Sequence, residues 1–154
     1  MAETFLPEMT GVVLRVRELD TIVPYAHITL LAPFGADGGP TSDEMDDLER
    51  FFADVAPFPF DITGESRFPE GARYWCPEPV ATFRRLTHDL HRAFPEYPPY
   101  QGAFASVVPH LTVPDDAASF DHEFRVHVRE ATLLHHDESG FTELRSFALG
   151  TSAA

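Results

Sequence analysis

Apolar and polar positions along the chain follow two different periods, which predicts a fold built from both strands and helices. Short runs rich in valine, isoleucine, phenylalanine and threonine, several of them with period two, indicate strands. Strands are predicted in this way at residues 11–16, 21–31 (ordered after Pro24), 58–68, 73–76, 106–113, 124–135 and 141–149. The third and fourth of these runs are separated by Pro-Glu-Gly at 69–71, so they are predicted to form a hairpin.

Helical spacing of apolar residues occurs twice. Past the glycine-rich break at residues 35–40, Thr41 or Ser42 can cap a helix that ends near Pro57. Its apolar stripe consists of Met45, Leu48, Phe52 and Val55. A second helix is predicted over residues 78–94, with apolar positions at Val80, Phe83, Leu86, Leu90 and Phe94. Helices lying outside antiparallel sheets make an α+β fold.

The order of these elements contains a coarse duplication. A strand, a histidine-containing strand and a helix come first, and a helix, a histidine-containing strand and a terminal hairpin follow. A chain of 154 residues is long enough for one well-packed domain and too short for two ordinary ones. We therefore predict a single two-lobed domain over residues 1–154.

The charge of the chain narrows the classes of partner. The formal net charge is -14, so the averaged field repels polyanions and argues against non-specific binding to long nucleic acid. All 11 basic residues are arginines. Without a lysine amine, Schiff-base chemistry and ligation through a lysyl-nucleotide intermediate are excluded. A small phosphate ester stays compatible with this charge where basic groups converge locally.

The cysteine content and the hydropathy of the chain indicate the cellular compartment of the protein. The single cysteine, Cys76, has no second thiol for a disulfide or a zinc knuckle, and we interpret it as structural. The first residues lack a basic segment followed by an apolar run, and no apolar stretch reaches the length of a membrane span. We expect a cytoplasmic protein that does not enter a membrane and, by default, a monomer.

Two short segments repeat one chemical pattern: residues 26–30 (AHITL) and 109–113 (PHLTV) each place a histidine two positions before a threonine. On a strand, positions i and i+2 share a face, so each segment presents an imidazole beside a hydroxyl. One copy of so short a pattern means little, because threonine is common in strands. Two copies, each with aliphatic residues between and after the histidine and threonine, and about half a chain apart, are not expected by chance.

Paired histidines suit a particular chemistry. Imidazole titrates near neutrality, so two of them supply a general base and a general acid at one pH, each worth about 10²- to 10⁴-fold in rate. A threonine hydroxyl beside each imidazole donates to non-bridging phosphate oxygens without a metal. The set of groups fits in-line cleavage of a phosphodiester.

The two motifs, together with the segments AHITLLAPF, FPEYPPYQGAF and VVPHLTV, resemble the two-histidine (2H) phosphoesterase superfamily, specifically its 2′-5′ RNA ligase-like branch. The resemblance implies a bilobal, pseudo-twofold α+β fold in which two antiparallel β-sheets line a central cleft, with helices outside. It also implies metal-free action on 2′,3′-cyclic phosphate or 2′-5′ phosphodiester linkages, commonly leaving a 2′-phosphate. His27 and His110 would be the catalytic acid and base, and Thr29 and Thr112 the phosphate-binding groups.

Four further side chains are candidates for substrate contacts. Arg73 and Tyr74 lie on a strand that would bring a cation and a ring toward the cleft, and Tyr97 and Tyr100 belong to a proline-rich loop. The tyrosines could stack on a base, as aromatic platforms do for unpaired nucleotides. The structural alternatives are a solvated arginine and tyrosines that pack against their own loop.

No metal or other cofactor is expected, because the remaining paired histidines have neither thiols nor carboxylates at recognised ligand spacing. The expected partner is a small nucleotide or an RNA end. Two alternatives stay open at this point. One is a catalytically inactive nucleotide- or cyclic-phosphate-binding module of the same fold, and the other is a small acidic interaction protein whose histidines are structural.

Overall fold

The computed structural model describes residues 8–36, 38–99 and 108–151, and within these ranges it contains eight strands and two α-helices. The strands are β1 (Met9–Arg15), β2 (His27–Leu31), β3 (Phe58–Arg67), β4 (Arg73–Glu78), β5 (Leu111–Thr112), β6 (Phe124–Val128), β7 (Glu130–Asp137) and β8 (Gly140–Ala148). The helices are α1 (Ser42–Ala53) and α2 (Val80–Ala93). The predicted α+β class is confirmed.

The start of α1 follows from its sequence. Thr41 is the N-cap: its hydroxyl accepts from the backbone N–H of Glu44 at 3.1 Å, while the Glu44 carboxylate accepts from the backbone N–H of Thr41 at 2.9 Å. This capping box satisfies two backbone donors that a helix start leaves without partners. The helix ends at Ala53, earlier than the expected end near Pro57, because Asp54 turns the chain and donates its N–H back to Phe51 and Phe52.

The strands form one continuous antiparallel sheet in the order β6-β3-β4-β5-β2-β1-β7-β8. The expected two antiparallel sheets are therefore corrected to one. β2 pairs with β5 at Ile28 and Leu111, which joins two four-stranded halves. Each half ends on an edge whose backbone groups would otherwise lack partners, and pairing the two edges satisfies them.

The predicted strand over residues 124–135 is divided at Arg129 into β6 and β7. β6 is the outermost strand at one edge of the sheet, whereas β7 lies next to the opposite edge. A single residue spans only about 7 Å between its two neighbours, so the sheet curls until these distant strands approach each other. The carbonyl of Arg129 accepts from the backbone N–H of Leu149 at 2.9 Å at this junction.

Both helices pack on the face of the sheet that carries Ile28 and Leu111, each of which is fully buried. Phe52 of α1 stacks against Phe147 of β8, with ring centroids 6.1 Å apart. Thr87 anchors α2, because its hydroxyl donates to the carbonyl of Leu30 at 2.7 Å. The opposite face of the central strands is therefore the one on which functional side chains are presented. Neither helix in the described part of the chain has the length and apolarity that a membrane crossing requires.

Candidate active site

The two His-x-Thr motifs lie on the two central strands of the sheet. Ile28 is the register partner of Leu111, and carrying this antiparallel register one residue each way sets His27 opposite Thr112 and Thr29 opposite His110. Opposite residues in a sheet share a face, and that face alternates along a strand. The four side chains therefore project from one side, which we call the histidine face, and the two histidines lie on a diagonal of about 7–8 Å between their Cα atoms.

Both imidazoles are oriented by a backbone carbonyl two residues earlier. Nδ1 of His27 lies 2.6 Å from the carbonyl oxygen of Tyr25, and Nδ1 of His110 lies 2.7 Å from that of Val108. A carbonyl oxygen only accepts, so Nδ1 carries the hydrogen in both rings. In the neutral imidazole Nε2 is then the basic nitrogen, which makes Nε2 the atom that exchanges a proton in either motif.

The two motifs differ in burial. His110 is 4% exposed and Thr29 is 6% exposed, whereas Thr112 is exposed and His27 is half-buried. The Thr29 hydroxyl is buried and makes no hydrogen bond within the described residues. A buried hydroxyl without a partner is rare in native proteins and costs stability, and one of its explanations is a catalytic role.

The surroundings of His27 are aromatic on one side and charged on the other. The ring of Phe141 meets the His27 ring edge-on at 5.5 Å and stacks on Tyr25 at 5.0 Å. Tyr25 has a φ of 52°, the left-handed conformation that non-glycine residues seldom adopt. Arg15 of β1 is the register partner of His27 and lies on the histidine face beside it.

Two aromatic rings of the described residues contact the His110 ring. Phe68 meets the His110 ring edge-on at 5.0 Å, and Tyr74 does so at 5.9 Å. Phe68 and Tyr74 stack on each other at 4.3 Å. Tyr74 is also the register partner of Thr112, so the structure brings this predicted contact residue to the histidine face.

Arg73 is not brought together with the histidines. It neighbours Tyr74 on β4 and therefore projects from the opposite face of the sheet, where it is 5% exposed. Its guanidinium donates to the carbonyl oxygens of Pro114, Ala117 and Ala118 at 2.6–3.0 Å. A salt bridge to Glu65 at 2.7 Å completes its contacts. Arg73 thus braces the segment that follows the second motif, and these acceptors offset the cost of burying its charge.

Of the two tyrosines in the proline-rich loop, the structure describes the contacts of Tyr97. Tyr97 donates its hydroxyl to Glu44 of α1 at 2.5 Å and packs on Phe34 with ring centroids 5.0 Å apart. The hydrogen bond to the Glu44 carboxylate raises the pKa of Tyr97 to about 12. These contacts join the loop to α1 rather than to the histidines. Tyr100 lies outside the described residues.

Potential metal ligands do not converge in the described ranges: no group of three or more histidine, cysteine or acidic side chains there is arranged to hold an ion. Cys76 is half-buried on β4, and burial raises the pKa of its thiol. The register of β4 and β5 pairs Trp75 with Leu111, so the next position, Cys76, falls beside His110. A thiol kept protonated in this way is a packing group.

Sequence reasoning missed several residues of the histidine face. The carbonyls of Tyr25 and Val108 orient the imidazoles, and a backbone carbonyl leaves no mark in residue types. Arg15 and Phe141 contact the site from predicted strands, but strand prediction does not say which strands become neighbours.

The described residues thus define an α+β protein with two matched histidine motifs on the central strands of a curled sheet. A family model described as the 2′-5′ RNA ligase superfamily matches residues 20–140. This range contains both motifs and most of the chain, and the chain belongs to that superfamily. Membership supports a phosphoesterase type of activity. No curated protein sequence matches the chain.

Solved structures share the fold at low sequence identity. TT0787 of Thermus thermophilus aligns with a TM-score of 0.61 and 18% identity, covering 92% of this chain and 97% of its own. E. coli LigT in complex with NADP+ aligns with a TM-score of 0.59 and 15% identity, covering 94% of this chain and 99% of its own. A structure described only as a phosphoesterase gives a TM-score of 0.63 and 17% identity over 94% and 99% of the two chains. The curled eight-stranded arrangement is therefore that of the LigT-like fold.

Proposed function

We propose that the protein is a metal-independent phosphodiesterase that hydrolyses 2′,3′-cyclic phosphate or 2′-5′ phosphodiester bonds in small nucleotides or RNA ends. The observation that carries this proposal is the pairing of β2 with β5 at Ile28 and Leu111, because it sets an imidazole of one motif against a hydroxyl of the other. Membership of the superfamily supports the same class of reaction.

In the proposed reaction one histidine is the general base. Its Nε2 takes a proton from water while the water oxygen forms a bond to phosphorus. The other histidine, protonated on both nitrogens, donates the Nε2 proton to the ribose oxygen as the bond from phosphorus to that oxygen breaks. One proton is taken up and one is released, so the two imidazoles exchange protonation states and solvent restores them.

Two features of the histidine face support these general-base and general-acid roles. The carbonyls of Tyr25 and Val108 hold the hydrogen of each imidazole on Nδ1, so Nε2 of each ring is the nitrogen that takes up or gives the proton. Thr29 and Thr112 supply hydroxyl donors for non-bridging oxygens, where charge accumulates in the transition state. The buried hydroxyl of Thr29 suits this role because no described residue already uses it.

The charge of the chain bears on substrate size. A net charge of -14 disfavours a long polyanion, so the proposed substrates are small nucleotides or chain ends. Aromatic rings flank both histidines, with Phe141 beside His27 and the stacked pair of Phe68 and Tyr74 beside His110. Rings in these positions can stack on a nucleobase, which favours a nucleotide over a simple phosphodiester.

The test is hydrolysis of a nucleoside 2′,3′-cyclic monophosphate in EDTA, with separation of the 2′- and 3′-phosphate products. We expect a 2′-phosphate from the wild type and a loss of about 10²- to 10⁴-fold in each of His27→Gln and His110→Gln. His88→Gln is the matched control, because His88 is exposed on α2, behind the sheet. Its turnover should equal that of the wild type.

Two results would contradict the proposal. Wild-type turnover in either motif variant would remove the acid and base roles. If the wild type cleaved neither the cyclic phosphate nor a 2′-5′ dinucleotide, hydrolysis itself would be rejected. Titration with a nucleoside 2′-phosphate would then test the binding module.

A further inference from the structure

Arg15 lies beside His27 and is held by three polar groups at once. Its side chain is only 4% exposed. Nε donates to the carbonyl oxygen of Ala26 at 3.1 Å, one terminal nitrogen donates to Glu143 at 2.6 Å, and the other donates to Asp20. A buried arginine next to a phosphodiester site invites interpretation as a phosphate-binding cation. Here each of its three nitrogens is already engaged by the protein.

Arg15 and Asp20 together hold the peptide groups on both sides of Ala26. Asp20 accepts from the backbone N–H of Ala26 at 3.0 Å, while Arg15 binds the carbonyl of the same residue. The Arg15 guanidinium also lies over the Tyr25 ring, 4.5 Å from its centroid. Tyr25 carries the carbonyl that accepts the Nδ1 hydrogen of His27. Arg15 and Asp20, which we call the clamp, therefore contact the segment that contains both the imidazole and its acceptor.

We infer that Arg15 is a positioning residue for His27: with Asp20 it fixes residues 25–27 so that the Tyr25 carbonyl keeps the hydrogen of His27 on Nδ1 and leaves Nε2 as the nitrogen that exchanges a proton. Its effect on turnover rests on the proposed function, whereas its effect on the tautomer does not. The left-handed φ of 52° at Tyr25 explains why a clamp is needed, because that conformation is costly without support.

The second histidine provides an internal comparison. His110 has the same carbonyl contact, through Val108. The strand position beside it, however, corresponds to Cys76, which follows the Trp75 and Leu111 pair on β4. A thiol cannot bridge three acceptors as a guanidinium does. Changes at Arg15 should therefore alter His27 and leave His110 unchanged.

The first measurement is the tautomer of each imidazole, read from two-bond nitrogen–proton correlations in ¹⁵N-labelled protein at a pH where the rings are neutral. Spectra of His27→Gln and His110→Gln assign the two rings. In the wild type both should be Nδ1-protonated. In Arg15→Met, His27 should become a mixture of both tautomers while His110 stays as it is. Arg17→Met is the matched control, because Arg17 also binds Glu143 but is 49% exposed, and its side-chain hydrogen bonds within the described residues go to Glu143 and Glu130 rather than to Ala26.

The second measurement is steady-state kinetics on the cyclic phosphate. A positioning role predicts that Arg15→Met lowers kcat on the order of 100-fold with little change in KM. Arg15→Lys should behave like Arg15→Met, because an ammonium group cannot hold three separate acceptors in the geometry of a guanidinium. A phosphate-binding cation would instead raise KM and be rescued by lysine.

The inference is overturned if His27 keeps its tautomer in a folded Arg15→Met protein, or if Arg15→Lys restores wild-type kinetics. Should Arg15→Met fail to fold, Asp20→Ala removes the other half of the clamp at a side chain that is 38% exposed, and the same tautomer change is expected. An inactive wild type would reject the proposed hydrolysis, yet the tautomer measurement would still decide the role of Arg15.

Discussion

Ile28 of β2 and Leu111 of β5 are register partners at the centre of the sheet, and both are fully buried against the helices. Each lies between the histidine and the threonine of its own motif. The apolar middle residue of one His-x-Thr thus packs in the core beside that of the other, while the flanking polar residues project together from the opposite face. Burial of this pair and assembly of the histidine face are consequences of one register.

Removing the side chain of Leu111 should therefore affect the fold before the chemistry. We expect Leu111→Ala to lower the free energy of unfolding by about 2–5 kcal/mol, because a fully buried leucine leaves a cavity. Leu111→Met keeps most of the volume and should cost less than about 1.5 kcal/mol. Urea denaturation of the three proteins measures both differences, and equal stability of all three would contradict the buried pairing.

The Thr29 hydroxyl allows function to be separated from stability. Thr29→Val keeps the shape and removes a buried hydroxyl that has no partner among the described residues, so stability should hold or rise by up to about 1 kcal/mol. Turnover should fall by about 10²- to 10³-fold, as for the loss of one oxyanion donor. Thr29→Ser retains the donor and should retain most of the activity.

Thr87→Val is the matched control for Thr29→Val. Thr87 is equally buried, but its hydroxyl donates to the carbonyl of Leu30 at 2.7 Å from the helix side of the sheet. Its replacement should cost about 1–3 kcal/mol and leave kcat/KM near that of the wild type. If the two variants instead lost stability and activity in parallel, a phosphate-holding role for Thr29 would lose its support.

Local pattern predicts much of this fold, for identifiable reasons. Thr41 is recognisable as an N-cap because its partner Glu44 is three residues away, and alternation along each strand is visible within a few positions. The same alternation predicts that His27 and Thr29 share a face, and both residues lie on β2 in the structure. These features depend on residues close together in the chain.

Features that depend on distant residues could not be predicted in this way. The division of the strand at Arg129 places β6 and β7 near opposite edges of the sheet, and this placement depends on pairing with strands that are distant in the chain. Arg73 is a candidate cation by its sequence position, but its guanidinium is engaged on the other face by carbonyl oxygens of the segment 114–118 and by the carboxylate of Glu65. Adjacent residues on a strand project from opposite faces of the sheet, so only one of Arg73 and Tyr74 can lie on the histidine face. The register of β4 with β5 sets which of the two does so.

Two substitutions at Tyr25 separate the effect of its backbone conformation on stability from the effect of its ring contacts. Tyr25→Ala and Tyr25→Gly both remove the ring that stacks on Phe141. Only glycine adopts a φ of 52° without steric cost. Tyr25→Gly should be the more stable by roughly 0.5–1 kcal/mol, after the larger entropy of an unfolded glycine is subtracted. Urea denaturation measures the difference, and a more stable alanine variant would argue against the left-handed conformation.

Glu65 gives a prediction about pH. The hydrogen bond from Arg73 holds the pKa of Glu65 below the ordinary value of 4.5, and the indole N–H of Trp75 acts in the same direction. The folded state therefore favours the carboxylate, and its contribution to stability is present above pH 4.5 and is lost as the pH falls through the lowered pKa. Glu65→Gln keeps the shape but not the charge. We expect it to be less stable than the wild type by about 1 kcal/mol at neutral pH, a modest value because water reaches a third of the side chain.

That difference should close as the wild-type carboxylate becomes protonated. Urea denaturation of both proteins near neutrality and again at about pH 3 measures it. Glu138→Gln serves as the control, since Glu138 is an exposed turn residue and its replacement should change stability little at either pH. A deficit of Glu65→Gln that kept the same size at both pH values would show that the charge of Glu65 is not what stabilises the brace between Arg73 and the segment after the second motif.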